Sequence, residues 1–304
     1  MKRGTTALFF VCLAVSLLLV SPTSLAAPGV GTLFGTNASG GSLLRVNTST
    51  GAGTIVGAMG FVAPALAVHP LTGVMYAGRG AGTPSIYTVN PTTGATTLVG
   101  SSGLGVAAIG DLTFNAAGVL YASVNIVGDG GTGSETLATI NITTGVATVI
   151  GSYGTGCPGA CTIDGMEGIS FDNAGTLWGV RDGHAGPGTP GLYRINTSTG
   201  AATFVAPIVG ASIVSLQFAT DGTLYGGTGR SSGAATDGGF LVTINTGTGA
   251  LQFLGPSPAT GGTSLGALAF QFAGTTVPTL SPRSLAALAV LLVLAALAVI
   301  RMRS

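Results

Sequence analysis

Charge is what this sequence has least of. Only 6% of its 304 residues are Asp, Glu, Lys or Arg, and no lysine follows Lys2. A phosphate-gripping Walker loop is therefore impossible, because that loop needs its lysine. Lys2, Arg3, Arg283, Arg301 and Arg303 lie in the two end segments, which leaves Arg45, Arg79, Arg181, Arg194 and Arg230 facing nine acids. A central region at about −4 by this count argues against nucleic acid, or an anionic membrane, held through a basic surface. Histidine and cysteine are also scarce, at 2 and 3 residues. Zinc is thus a poor reading of Cys157 and Cys161 in "CPGAC", because only His69 and His184 exist to complete a shell. In an exported chain the same two cysteines read as a disulfide closing a small loop.

Glycine is abundant, at 53 residues, and most of it punctuates a repeat. "LLRVNTSTGAGTIVG", "IYTVNPTTGATTLVG", "LATINITTGVATVIG", "LYRINTSTGAATFVA" and "LVTINTGTGALQFLG" nearly copy one another, anchored at Asn47, Asn90, Asn141, Asn196 and Asn245. Self-similarity recurring roughly every 50 residues marks a repeat architecture. Each unit reads as four short strands, a to d. In the innermost, strand a, the pairs Leu66/Val68, Leu112/Phe114, Ile169/Phe171, Leu216/Phe218 and Leu268/Phe270 share a face, as sheet-on-sheet packing requires. The turn from c to d always ends in Thr-Gly, at Gly51, Gly94, Gly145, Gly200 and Gly249, where glycine supplies a positive φ. Asparagine at the start of that turn bonds its own backbone, which accounts for Asn47, Asn141 and Asn196 better than their glycosylation sequons do.

The two ends of the array complement each other. "GTLFGTN" near Gly31 is a strand b lacking its a, and "LGALAFQFAG" near Gly266 is a strand a lacking its b. Joined, they complete one unit. The fold class expected is therefore all-β, a five-bladed β-propeller over residues 27–276, closed by its N- and C-terminal strands and with strand a lining the axis. Closure also removes sheet edges that so little charge protects. Tyr76, Tyr121, Trp178 and Tyr225, with Phe34, recur at one place in strand b and read as packing between sheets.

Outside the array, residues 1–26 have a basic start, an apolar run and a small-residue exit at Ser24-Leu25-Ala26, which reads as a secretory signal peptide. After Thr276, residues 277–304 combine Val277-Pro278-Thr279-Leu280, an apolar run from Leu285 to Ile300 and the basic Arg301 and Arg303. The run is just short of the roughly 17–25 residues of a spanning helix, and the arginines would hold its end on the cytoplasmic side. This tail resembles the IPTL-type branch of the PEP-CTERM sorting signals, with Val277 in place of the usual Ile. The resemblance implies an exosortase-type sorting protease as partner, initial anchoring through the transmembrane helix, delivery to the cell envelope or exterior, and association with extracellular polysaccharide.

Six of the nine acids, Asp129, Glu135, Asp164, Glu167, Asp172 and Asp182, fall within about a fifth of the chain. Aligning the strands a puts Asp111 and Glu167 at the axial mouth, with Asp164 close by. Asp111, Asp164 and Glu167 are accordingly the candidate ligands for calcium, which takes carboxylate oxygens. "MEGISFDNAGTLWGV" resembles calcium-dependent propellers of the lactonase and strictosidine-synthase type, and implies a hydrolase with its site at that mouth. No catalytic motif stands on its own, however. Gly-x-Ser-x-Gly around Ser231 and Ser264 lacks the strand-to-helix elbow that exposes a nucleophile. The leading expectation is an exported, non-enzymatic binding or display module, and the alternative is the calcium-dependent hydrolase.

Overall fold

The computed structural model describes residues 31–37, 40–80, 83–105, 107–125, 135–155, 163–182, 190–229, 238–261 and 263–272. The leader at 1–26, Cys157, Cys161, Val277 to Leu280 and the apolar run from Leu285 to Ile300 lie outside them. Among the described residues no helix is long and apolar enough to cross a membrane.

In chain order the strands are β1 (Thr32–Asn37), β2 (Ser42–Val46) and β3 (Gly53–Ala58), then β4 (Ala65–Val68), β5 (Met75–Gly78), β6 (Ser85–Val89) and β7 (Thr96–Ser101). Next come β8 (Ala108–Phe114), β9 (Leu120–Asn125), β10 (Glu135–Ile140) and β11 (Ala147–Ser152), followed by β12 (Met166–Phe171), β13 (Leu177–Arg181), β14 (Gly191–Ile195) and β15 (Ala202–Pro207). The last set is β16 (Ile213–Phe218), β17 (Leu224–Thr228), β18 (Phe240–Ile244), β19 (Leu251–Pro256) and β20 (Leu265–Gln271). They form five four-stranded antiparallel sheets, one of which has the order β20-β1-β2-β3. Strand β20 thus supplies the missing inner strand of the first blade, and the ring closes as the offset ends of the array require. The inner strands β4, β8, β12, β16 and β20 pack on one another in turn around the axis.

Two kinds of contact join the blades, and both repeat. Strand-b aromatics pack against the strand-a phenylalanine of the next blade: Tyr76 on Phe114, Tyr121 on Phe171, Trp178 on Phe218 and Tyr225 on Phe270, with ring centroids 5.6, 5.2, 6.2 and 5.7 Å apart. Such tilted and edge-on pairs add about 0.5–1.5 kcal/mol beyond area burial. The belt is therefore inter-blade packing.

The second contact is backbone on backbone at the rim. The c-to-d turns are closed by Gly51, Gly94, Gly145, Gly200 and Gly249, all at positive φ, and each donates its N–H to the carbonyl of the anchoring asparagine at 2.8 Å. Each turn also abuts strand d of the preceding blade. A Cβ on Gly94 would lie 2.6 Å from the Gly57 carbonyl oxygen, one on Gly145 2.6 Å from that of Gly100, and one on Gly200 2.3 Å from that of Gly151. Gly249 meets the Pro207 carbonyl in the same way, and Gly51 meets Gly255, which completes the circle. Only glycine fits both the left-handed conformation and the close approach.

Candidate functional site

The inner strands run between two mouths. One mouth gathers the starts of strands a and c with the ends of b and d; the other gathers the a-to-b turns.

Asp111 stands near the first mouth, on β8, where the register with β9 shifts between Ile109 and Asp111. That bulge turns its carboxylate into the axis. Oδ1 accepts the N–H of Leu112 at 2.8 Å, Oδ2 accepts that of Ile169 at 2.9 Å, and the N–H of Leu216 also reaches the carboxylate. Asp111 thereby ties β8 to β12 and β16 from a position with no solvent exposure. Burial pushes its carboxyl well above the ordinary range, the three N–H donors pull it down, and the nearby Glu167 charge adds to the rise.

Asp164 has a different partner. Its Oδ1 accepts from Arg181 Nη2 at 2.7 Å, within its own blade, and Arg181 is fully buried. Beside this pair, Glu135 at the start of β10 accepts from the backbone N–H groups of Met166 and Gly165, and Asp182 accepts from the Ser212 hydroxyl at 3.0 Å. Burial raises the Glu135 carboxyl to about 7, with the charges of Asp164 and Asp182 contributing. Asp172 belongs to the opposite face, where it accepts from the backbone of Ala174 and Thr176 and from the Trp178 indole.

The structure gives the expected calcium set two different settings. Asp111 and Glu167 are neighbours, but Asp164 is committed to Arg181 and Asp111 to backbone donors. A calcium ion held by these three carboxylates would share them with the N–H groups and the guanidinium they already accept from. Among the described residues no three of His, Cys, Asp and Glu are grouped to hold a metal. Ser264 precedes strand β20 with no helix behind it, so it has no nucleophile elbow. Arg181, Glu135 and Asp182 were not singled out as partners by sequence. The one signal available was that a chain this poor in charge places an arginine and five acids in neighbouring stretches.

Glu135 gives the first prediction. Between about pH 4.5 and 7 the folded protein keeps a proton on Glu135 that the unfolded chain has released, so stability falls as pH rises through that window, by up to about 3 kcal/mol. Glu135→Gln is expected to flatten this part of the stability profile, measured by urea unfolding from pH 5 to 8. An unchanged slope would assign the titration to another group.

The second mouth holds a cavity of about 550 Å³, lined by the C-terminal ends of β4, β8, β16 and β20 and by the turn from His69 to Gly73. Its lining includes no Asp, Glu, Lys or Arg. His69 accepts the N–H groups of Leu71 and Thr72 on Nδ1, at 3.1 and 3.3 Å, which leaves the proton on Nε2. Gln217 donates to the Phe218 carbonyl and Gln271 to the Gly73 carbonyl, at 2.9 and 3.2 Å. These bonds orient both amides and leave their Oε1 atoms as acceptors. Thr113 and Thr220 add hydroxyls, and Phe114 and Phe272 are half-buried rings. Sequence reading passed over this mouth, since amides, threonines and phenylalanines carry no motif.

Fold and sites together define a five-bladed β-propeller with a neutral axial cavity at one mouth and an internally paired acid cluster at the other. No family model matches the sequence, and no curated protein is found similar to it. Among solved structures, the chain is similar to a gluconolactonase from Xanthomonas campestris, at 11% identity over 76% of this chain and 78% of that one, with a TM-score of 0.48. It is similar also to a calcium-binding protein, regucalcin, from Agrobacterium tumefaciens, at 18% identity over 76% and 72% of the two chains with a TM-score of 0.47. A luciferin-regenerating enzyme matches at 14% identity over 75% and 76%, with a TM-score of 0.42.

Proposed function

We propose that this chain is an exported propeller that works as a non-enzymatic binding module at the cell envelope, with its ligand seated at the His69 mouth. The observation that carries this reading is the division of polar groups between the mouths. At the acid-rich mouth, Asp111, Glu135, Asp164 and Asp182 are turned inward onto backbone N–H groups, Arg181 and Ser212. At the His69 mouth, neutral donors and acceptors surround a cavity within the roughly 300–1,000 Å³ of small-molecule sites. Export through residues 1–26, and sorting by an exosortase-type protease reading Val277 to Leu280, would present that mouth to extracellular polysaccharide. The full-length chain, purified in detergent, should be retarded in native gels cast with a neutral polysaccharide and should release no reducing ends from it. Release of reducing ends would overturn the non-enzymatic reading.

One observation favours a second reading, hydrolysis at the acid-rich mouth. A carboxyl held near 7 is poised for general acid–base work at neutral pH, and Glu135 is one. Lactones are the substrates to assay first, since the 166–180 stretch resembles lactonase-type propellers. Turnover abolished by Glu135→Gln would establish this reading.

A further inference from the structure

The cavity at the His69 mouth is a blind well rather than a channel. Inner-strand residues Leu66, Leu112, Ile169, Leu216 and Leu268, and beyond them Ala65, Asp111, Ser215 and Ala267, are each at most 2% exposed. Most of these side chains pack between neighbouring blades, but the unexposed Asp111 carboxylate reaches from β8 to the N–H groups of Ile169 and Leu216 and so spans the inner strands between the mouths. A ligand at the His69 mouth enters from one side and stops.

We propose that the ligand is the free end of a neutral glycan chain, inserted along the propeller axis. This inference rests on the binding reading above and adds the ligand's class and its direction of approach. The chemistry of the wall selects the class. With no charged side chain in the lining, an ionic group on the ligand would be desolvated without a counter-charge. The Oε1 acceptors of Gln217 and Gln271 and the hydroxyls of Thr113 and Thr220 match a partner that both donates and accepts at several points. The half-buried rings of Phe114 and Phe272 match a partner with an apolar face. A pyranose has both features, hydroxyls around its edge and C–H groups on its face. Depth selects the end, because an internal sugar of a polymer would need the chain to leave the well on the far side.

The test is competition in native gels cast with dextran, pullulan or mixed-linkage β-glucan, using the full-length chain in detergent. Each polymer is supplied as soluble competitor at equal mass, either intact or shortened by partial acid hydrolysis. For a retarding polymer, the shortened form should compete more strongly per unit mass, in proportion to its chain ends. Gln217→Ala, verified by its melting curve to be folded, should weaken retardation about tenfold, and Phe253→Ser on the outer rim should leave it unchanged. Equal competition by both forms would overturn end-on entry while the binding function stands. Absence of retardation by all three polymers would remove the neutral-glycan class, and the binding reading with it.

Discussion

An Asp111→Ala variant is expected to lose about 4 kcal/mol or more of folding stability, because each of several buried N–H groups left without its acceptor costs about 1–3 kcal/mol. The carboxylate serves Leu112, Ile169 and Leu216 at once, so its removal opens contacts among three inner strands rather than one. Asp111→Asn should recover only part of the loss. Its amide keeps one oxygen, but its Nδ2 must face either the Leu112 or the Ile169 donor. Chemical unfolding measures both variants. A parallel experiment separates this role from metal binding, since adding a chelator should leave the wild-type melting temperature unmoved. Calcium-dependent stabilisation present in the wild type and absent in Asp111→Asn would make the carboxylate a ligand and overturn the structural assignment.

Gly51→Ala should cost about 2–5 kcal/mol, combining the left-handed backbone, about 1–2 kcal/mol, with overpacking of about 1–3 kcal/mol. Gly51 has a φ of 70°, and a Cβ there would lie 2.2 Å from the Gly255 carbonyl oxygen. The contact joins the last repeat to the first, so pushing it apart strains ring closure itself. Gly175→Ala is the control. It shares the positive φ, at 82°, but a Cβ on Gly175 meets nothing within 4 Å, so only the backbone cost of about 1–2 kcal/mol applies. Equal losses in the two variants would show that the rim contact contributes nothing.

Most of the architecture is legible in the chain because it is local. A strand declares itself by alternation, as in Leu216 and Phe218, and a tight turn by Asn and Gly at fixed spacing, as in Asn245 and Gly249. The missing partners at the two ends, near Gly31 and Gly266, expose closure of the ring without any coordinate. The recurrent aromatics are read as packing for the same reason, since residues equivalent in every blade meet equivalent neighbours.

The candidate sites are different in kind. Asp111, Asp164 and Glu167 lie close together in the aligned repeats, yet the structure joins Asp111 to Ile169 and Leu216, and Asp164 to Arg181. A one-residue bulge in β8 and the stagger between blades decide those partners, and neither leaves a mark in local pattern. The His69 mouth is also a product of assembly, built from inner-strand ends that are far apart along the chain and plain in composition. By itself the sequence determined the blade, its number and its closure, because strand and turn preferences act over a few residues. Only the tertiary structure decided which acids are neutralised within the ring and which mouth stays open. That depends on where side chains from different blades meet, and on water being excluded once they do.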